Sequence, residues 1–231
     1  MDLPRMYSDA QTRVIDLVST LSPPALATMV PGTPRWTIEQ LVCHMTGVCC
    51  DMVDGRVDGA ATEGWTSRQV AEREHRPLPD VLTEWRSRTP EVLELLAIPG
   101  KIDATTFDLL THEHDLRGAV GLAGPSNEAD VAAVTSRVTG RVNHLIDKGG
   151  LPGLRLVNDE SDWVCGSVAV GVTGTATTME WFRALFGRRS AAQILTYVWD
   201  GDPSPYFDLL NLFGPLPPAD VAEAGAPVPA A

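Results

Sequence analysis

Three side chains that suit a divalent metal ion lie on two segments of the sequence with helical spacing. His44 falls about 60° from the centre of an apolar stripe on a helical wheel, so it is expected at the edge of a core-facing side. Asp108 and His112 are four residues apart on a later segment, where a helix brings the two side chains together. Two imidazoles and one carboxylate leave coordination positions open, as in catalytic zinc sites and non-haem iron sites. The pattern therefore predicts a metal centre formed by two helices.

The same residues also have an ordinary interpretation. An Asp/His pair at this spacing is common on solvated helix faces, and a lone histidine is often hydrogen-bonded at the edge of a core. Glu113 competes with Asp108 as the acidic ligand, because a helical wheel alone does not exclude it. His114 points away from the apolar stripe and is predicted to be exposed. Spacing alone leaves these alternatives open.

Two further acidic residues are placed to support such a site. Asp115 lies three residues beyond His112, and it is predicted either to hold the second ring nitrogen of His112 or to orient a substrate. Asp51 lies two helical turns from His44 and is a candidate for a similar part. Cys43 is adjacent to His44, but neighbouring positions on a helix diverge by about 100°, so its thiol is expected to face elsewhere.

Long helices must position these residues. Helical spacing of apolar residues predicts six helices, over about 7–21, 37–54, 67–74, 79–96, 103–120 and 127–148. Thr37 and Gln40 form a predicted capping box, and Pro90 is expected to kink the helix that contains it. These spacings indicate an antiparallel helical bundle over residues 1–149.

The chain changes character after Gly149 and Gly150. Short β-rich runs predict strands over about 154–157, 162–165, 168–172 and 195–199, with helices over about 175–186 and 205–213. Residues 150–217 are therefore predicted to form a small α+β domain. The Ala/Pro-rich tail, 218–231, is predicted to be disordered. The expected fold class is α+β with two domains.

Composition restricts the function classes. The chain has 18 Lys and Arg residues against 30 Asp and Glu residues, and its net charge of −12 repels phosphate backbones, so no nucleic-acid partner is expected. No apolar run is long enough to span a bilayer, and the start MDLPRMY lacks the pattern of a secretory signal. No membrane partner and a cytoplasmic location are therefore expected. The four cysteines have no metal-finger spacing and are predicted to be free thiols.

Several segments resemble one protein family. Trp36–Gly47 (WTIEQLVCHMTG) is similar to the signature W-T-(V/I)-x-x-L-(V/L)-x-H-(L/M)-x-G of the mycothiol-dependent maleylpyruvate isomerase family, within the DinB-like group of helical-bundle metalloproteins. Asp108–Gly121 (DLLTHEHDLRGAVG) and Thr66–Pro77 (TSRQVAEREHRP) also resemble segments of this family. The phrases at 163–164, 186–190 and 199–203 resemble its C-terminal domain. The similarity covers the chain up to its tail.

The resemblance implies an N-terminal DinB-like antiparallel helical bundle followed by a small sterol-carrier-like α+β domain. It also implies a divalent metal, usually zinc, on His44, Asp108 and His112. The characterised enzyme type carries Glu where this chain has Asp108, whose carboxylate reaches about one bond less far; metal affinity or metal choice is therefore expected to differ. Arg188 matches an arginine that closes over the cleft and binds an anionic substrate or the thiol. Taken alone, Arg188 is equally a favourable charge at a helix C-terminus.

The chemistry implied by the resemblance depends on a low-molecular-weight thiol such as mycothiol. The expected protein is a metal-dependent enzyme, acting as a monomer or homodimer on a small electrophilic substrate, by cis–trans isomerisation or by S-transfer. Two alternatives stay open at this point: a metal- or ligand-binding module without thiol-dependent catalysis, and a zinc hydrolase in which the metal activates water.

Overall fold

A computed structural model of the chain describes residues 1–211 and 215–229. Contacts between residues divide the chain into two compact units, Met1–Leu122 and Ala123–Ala231. Within the described residues, no helix has both the length and the apolar character needed to cross a membrane. Each unit has its own buried apolar core.

The first unit is helical. Its elements are α1 (Leu3–Ser19), α2 (Pro23–Leu26), α3 (Ile38–Asp54), α4 (Glu63–Ala71), α5 (Leu78–Leu96) and α6 (Asp103–Ala119). Helix α3 packs against α5 and α6, and α1 packs against the same two helices, so the four long helices form a closed bundle. Helix α4 packs on the side of α3. The predicted helical bundle is thereby confirmed.

Local sequence explains where α3 begins and ends. The side chain of Thr37 accepts from the Gln40 N–H at 3.2 Å, and the Gln40 side chain accepts from the Thr37 N–H at 3.1 Å, which confirms the predicted capping box. Gly55 ends the helix with a φ of 70°, a left-handed conformation that favours glycine. The position of His44 along the bundle is therefore fixed from both ends of its helix.

The second unit combines helices with a small sheet. It contains α7 (Glu128–Gly149), β1 (Gly153–Val157), β2 (Asp162–Cys165), β3 (Val170–Thr175), α8 (Thr178–Leu185), α9 (Ala191–Leu195), β4 (Val198–Asp200), a 3-10 turn (Ser204–Tyr206) and α10 (Phe207–Leu210). The strand order is β2-β1-β3-β4, with β1 and β3 parallel and the outer pairs antiparallel. Leu154 and Leu156 are buried, and α7 packs against α8 and β2. The predicted small α+β domain is confirmed.

Two features differ from the sequence-based expectation. Helix α7 contacts elements of the second unit, whereas its pattern predicts a place in the bundle over 1–149; periodicity identifies an apolar helix face but not what covers it. Residues 191–195 form α9, opened by a capping box of Ser190 and Gln193, and only Val198–Asp200 forms the expected strand. Positions 212–213 of the predicted last helix lie outside the described residues.

The C-terminal tail is held against the second unit. Glu223 accepts hydrogen bonds from Arg183 Nε at 2.9 Å and from Arg189 Nη1 at 2.6 Å. The backbone N–H and carbonyl of Val221 both bond to the Gln193 side chain, each at 3.1 Å. This differs from the disorder predicted for 218–231, of which 230–231 lie outside the described residues. An Ala/Pro-rich composition does not reveal that a carboxylate of the tail, together with Glu180, pairs with the buried guanidinium groups of Arg183 and Arg189.

We predict that Glu223→Gln destabilises the second unit by about 3–5 kcal/mol, because it removes the carboxylate shared by two buried arginines. Urea denaturation of the full chain measures the effect. The exposed Glu160→Gln is the matched control and should change the free energy of unfolding by less than about 0.5 kcal/mol. Equal stability of the two variants would show that the tail does not contribute to the fold.

Candidate metal centre

Helices α3 and α6 bring the three predicted ligands together. His44, Asp108 and His112 each offer one ligand atom, and these atoms lie within 4.8 Å of one another. The Asp108 carboxylate lies between the two imidazoles, with Oδ1 3.3 Å from His112 Nε2 and Oδ2 3.8 Å from His44 Nε2. The centroids of the two imidazole rings are 5.0 Å apart, and the rings are nearly perpendicular.

The cluster is enclosed on the inside of the bundle and open on one edge. His44 and His112 are 2% and 5% exposed, whereas 35% of the Asp108 side chain is exposed. The Trp36 ring lies beside His44, with centroids 4.8 Å apart and a 34° angle between the rings. A small molecule can therefore approach the cluster from the Asp108 edge, past a partly exposed indole.

The donor set fits a first-row divalent metal. Two imidazole nitrogens and one carboxylate oxygen suit zinc, whereas calcium and magnesium prefer oxygen ligands. Ligands at about 2.1 Å from a tetrahedral centre are about 3.4 Å apart. Here the two Asp108 oxygens lie 3.3 and 3.8 Å from the facing imidazole nitrogens, and one ligand atom from each residue falls within 4.8 Å of the others. The shorter Asp108 side chain thus reaches both imidazoles.

A buried carboxylate orients His112. Asp115 has no exposed surface, and its Oδ2 lies 2.9 Å from His112 Nδ1. Because a carboxylate only accepts, Nδ1 carries the proton and Nε2 faces Asp108. Burial lowers the pKa of His112, but the Asp108 and Asp115 carboxylates outweigh it, so this pKa lies above its usual value. The expected contact between Asp115 and the second ring nitrogen is present.

Two residues next to His112 on α6 bond to groups outside the cluster. Glu113 is buried and accepts from Arg13 Nε at 2.7 Å and Nη2 at 2.9 Å, so this carboxylate is turned to α1 and away from the histidine pair. His114 is 2% exposed, with Nδ1 2.7 Å from the Leu110 carbonyl oxygen. Its predicted exposure was wrong, because α6 packs against both α1 and α3 and both flanks are covered.

Sequence reasoning missed the partner of His44, which is Gln69 on α4. The Nδ1 of His44 lies 2.8 Å from Gln69 Oε1, and Gln69 Nε2 donates to Asp51 Oδ2 at 2.6 Å. Asp51 is buried and forms ion pairs with Arg56 and Arg68, at 2.8 Å each. Asp51 was expected to support His44 as Asp115 supports His112. It does so only indirectly, because the Gln69 amide lies between Asp51 and the His44 ring. A glutamine has no charge or ligand pattern by which the sequence could reveal it.

The sequence does contain one feature related to Gln69, which is Gly47, the last residue of the WTIEQLVCHMTG segment. A Cβ atom added to Gly47 would lie 2.7 Å from Gln69 Cγ and closer still to Gln69 Cβ. Glycine at this position therefore gives α4 the room to bring Gln69 against α3.

Arg188 lies in the second unit, between α8 and α9. It is half-buried, and its Nη1 donates to the Phe186 carbonyl at 2.8 Å. Its proposed contact with substrate or thiol stays a prediction.

Comparisons with known proteins show what the chain resembles. Residues 7–107 match a family model described as the mycothiol maleylpyruvate isomerase N-terminal domain. The crystal structure of a mycothiol-dependent maleylpyruvate isomerase aligns with 80% of this chain and 88% of its own, at 11% identity and a TM-score of 0.51. A variant of an enzyme of that name, with one histidine changed to alanine, aligns at 10% identity with the same TM-score and coverage. A search of curated protein sequences finds no match.

At such low identity the structural likeness establishes the fold alone. Over residues 7–107 the helical unit is similar to the mycothiol maleylpyruvate isomerase N-terminal domain.

Proposed function

We propose that this chain is a metal-dependent enzyme that uses a low-molecular-weight thiol of the mycothiol type to isomerise, or to modify by S-transfer, a small electrophilic substrate. One observation carries the proposal: two imidazole nitrogens meet a partly exposed carboxylate within 4.8 Å. This cluster lies at the edge of a helical unit in which residues 7–107 match a family model named for mycothiol and maleylpyruvate. Zinc is the metal that the donor set favours.

A divalent cation at this site would lower the pKa of a thiol bound to it and so favour the thiolate at neutral pH. The chain's own residues provide the setting for this chemistry. His44, Asp108 and His112 would hold the cation, and the partly exposed Asp108 edge would admit the thiol and the electrophile. Asp115 has no exposed surface and so acts as a positioning residue that contacts His112 and not the substrate. Arg188 is proposed, from the family resemblance, to bind an anionic group of the substrate or thiol.

The two candidate reactions share their first step. A thiolate sulphur adds to a conjugated carbon–carbon double bond, and the former double bond becomes a single bond that rotates. Isomerisation results when the carbon–sulphur bond then breaks and the double bond re-forms in the other geometry. S-transfer results when the carbon–sulphur bond persists and the neighbouring carbon takes up a proton.

Burial of the cysteines of the helical unit supports a nucleophile that is supplied from outside the protein. Burial raises the pKa of Cys43 and of Cys49 to about 12, and that of Cys50 to about 11. A thiol with such a pKa is a poor nucleophile at neutral pH. The position of Cys43 next to His44 therefore supports no protein-thiol mechanism.

We predict near-stoichiometric metal in the purified protein and a loss of about tenfold or more in His44→Ala and in His112→Ala, since each removes one of three protein ligands. Elemental analysis of dialysed protein measures the content. His75→Ala is the matched control, because His75 has an 89% exposed side chain outside the cluster and should leave the metal content unchanged. Equal metal in all four proteins would place the site elsewhere.

We also predict turnover of maleylpyruvate or of another conjugated electrophile that requires both the metal-loaded protein and mycothiol. Nuclear magnetic resonance of the product separates isomerisation from S-conjugation. Hydrolysis without added thiol would instead favour a zinc hydrolase. Ligand-induced thermal stabilisation without turnover, across the electrophile panel, would favour a binding module.

The buried thiols are predicted to resist alkylation. In native protein at pH 8, iodoacetamide should leave all four cysteines unmodified, including Cys165, whose pKa burial raises to about 11. Unfolding in guanidinium should expose them all, and mass spectrometry counts the modified sites. Rapid labelling of Cys43 in the native protein would reopen a protein-thiol mechanism.

A further inference from the structure

A neutral amide connects a buried carboxylate to one of the two candidate histidine ligands. We infer that Gln69 is a positioning residue that holds His44 with its proton on Nδ1, so that the Nε2 lone pair faces Asp108 and His112. This role rests on the proposed function, because orienting His44 in this way serves metal binding.

The direction of each hydrogen bond follows from Asp51. Its two oxygens pair with Arg56 Nη2 and Arg68 Nη2, each at 2.8 Å, and because guanidinium groups only donate, both oxygens act as acceptors. The amide nitrogen of Gln69 must therefore face Asp51, across 2.6 Å. Its carbonyl oxygen then faces His44 Nδ1 across 2.8 Å, and this contact needs a proton on Nδ1. A neutral imidazole with a proton on Nδ1 has its lone pair on Nε2.

Helix geometry explains why an amide is needed. His44 and Asp51 are seven residues apart on α3, which separates them by about 10.5 Å along the helix axis. Asp115, in contrast, is three residues from His112 and contacts its ring directly at 2.9 Å. The side chain of Gln69 lies between His44 and Asp51 and joins them through its two ends.

Packing holds the amide in place. Gln69 has no exposed surface, and its Cβ and Cγ occupy the space that a side chain at Gly47 would need. Arg73 Nη1 donates to the backbone carbonyl of Gln69 at 3.2 Å, and Arg73 is itself held by Glu84. The amide therefore cannot turn freely, and its contact with Nδ1 restricts the orientation of the His44 ring.

The amide also orients His44 without adding negative charge next to the ring. The charge of Asp51 is balanced by two arginines, whereas Asp115 places its charge directly on His112. The two imidazoles thus have the same tautomer but different electrostatic surroundings. Fewer negative charges near a cation leave it better able to attract a thiolate.

The test measures the tautomer of His44 in metal-free protein and, separately, the affinity for zinc. Nitrogen-15 resonances at pH 8 report which ring nitrogen carries the proton, and competition with a chelator gives the zinc Kd. Gln69→Leu should lose the single Nδ1–H form of His44 and bind zinc about 10–100-fold more weakly. His75→Ala is the control, because its side chain is 89% exposed, and it should change neither quantity.

A double variant keeps the inference testable if Gln69→Leu fails to fold. Asp51→Asn combined with Gln69→Glu exchanges the amide and the carboxylate, preserving the total charge and an acceptor for His44 Nδ1. It should retain the Nδ1–H form and keep the zinc Kd within about tenfold of wild type, the smallest loss typical of a removed supporting contact.

The outcomes separate the two proposals. An unchanged His44 tautomer and zinc Kd in Gln69→Leu, or a double variant that folds but loses the Nδ1–H form, would overturn the positioning role. A different result would overturn the proposed metal function alone: the wild-type protein binds no zinc, while the Gln69→Leu variant still loses the Nδ1–H form of His44.

Discussion

The candidate centre is arranged around one physical constraint: two imidazoles and a carboxylate face one another in a largely buried site. Both imidazoles turn their Nε2 atoms toward the Asp108 carboxylate, at 3.3 and 3.8 Å. Two lone pairs facing an anionic oxygen are unfavourable in a largely buried site unless a proton or a cation lies between them. In the metal-free protein this constraint favours protonation of His112, whose pKa is raised. A divalent cation between the three groups would satisfy the same constraint.

The ligand set is selected by the way the other buried acids are occupied. Glu113 is held by Arg13, and Asp51 is held by two arginines, so both carboxylates are neutralised away from the histidines. Asp108 is partly exposed and lies against the two imidazoles. In a chain with a net charge of −12, such pairing prevents the many acidic groups from becoming competing ligands.

Patterns that are local in the sequence predicted well, and contacts between distant segments did not. The capping box at Thr37 and the four-residue spacing of Asp108 and His112 depend on one helical turn, and both could be read directly. Periodicity does not show which segments pack together. It therefore could not predict that His114 is buried, that α7 packs against elements of the second unit, or that the C-terminal tail is held by hydrogen bonds. Gln69 was missed for a further reason: a neutral side chain becomes significant only when both of its partners are known.

Under the proposed function, the choice between isomerisation and S-transfer would depend on residues other than His44, Asp108 and His112. These three residues would act on the thiol in the same way in both reactions, because the carbon–sulphur bond forms in each. The reactions diverge afterwards, according to whether the adduct expels the thiolate or receives a proton on carbon. Gln69 and Asp115 have no exposed surface and so cannot deliver that proton. The deciding groups must therefore be accessible from the side on which Asp108 is partly exposed.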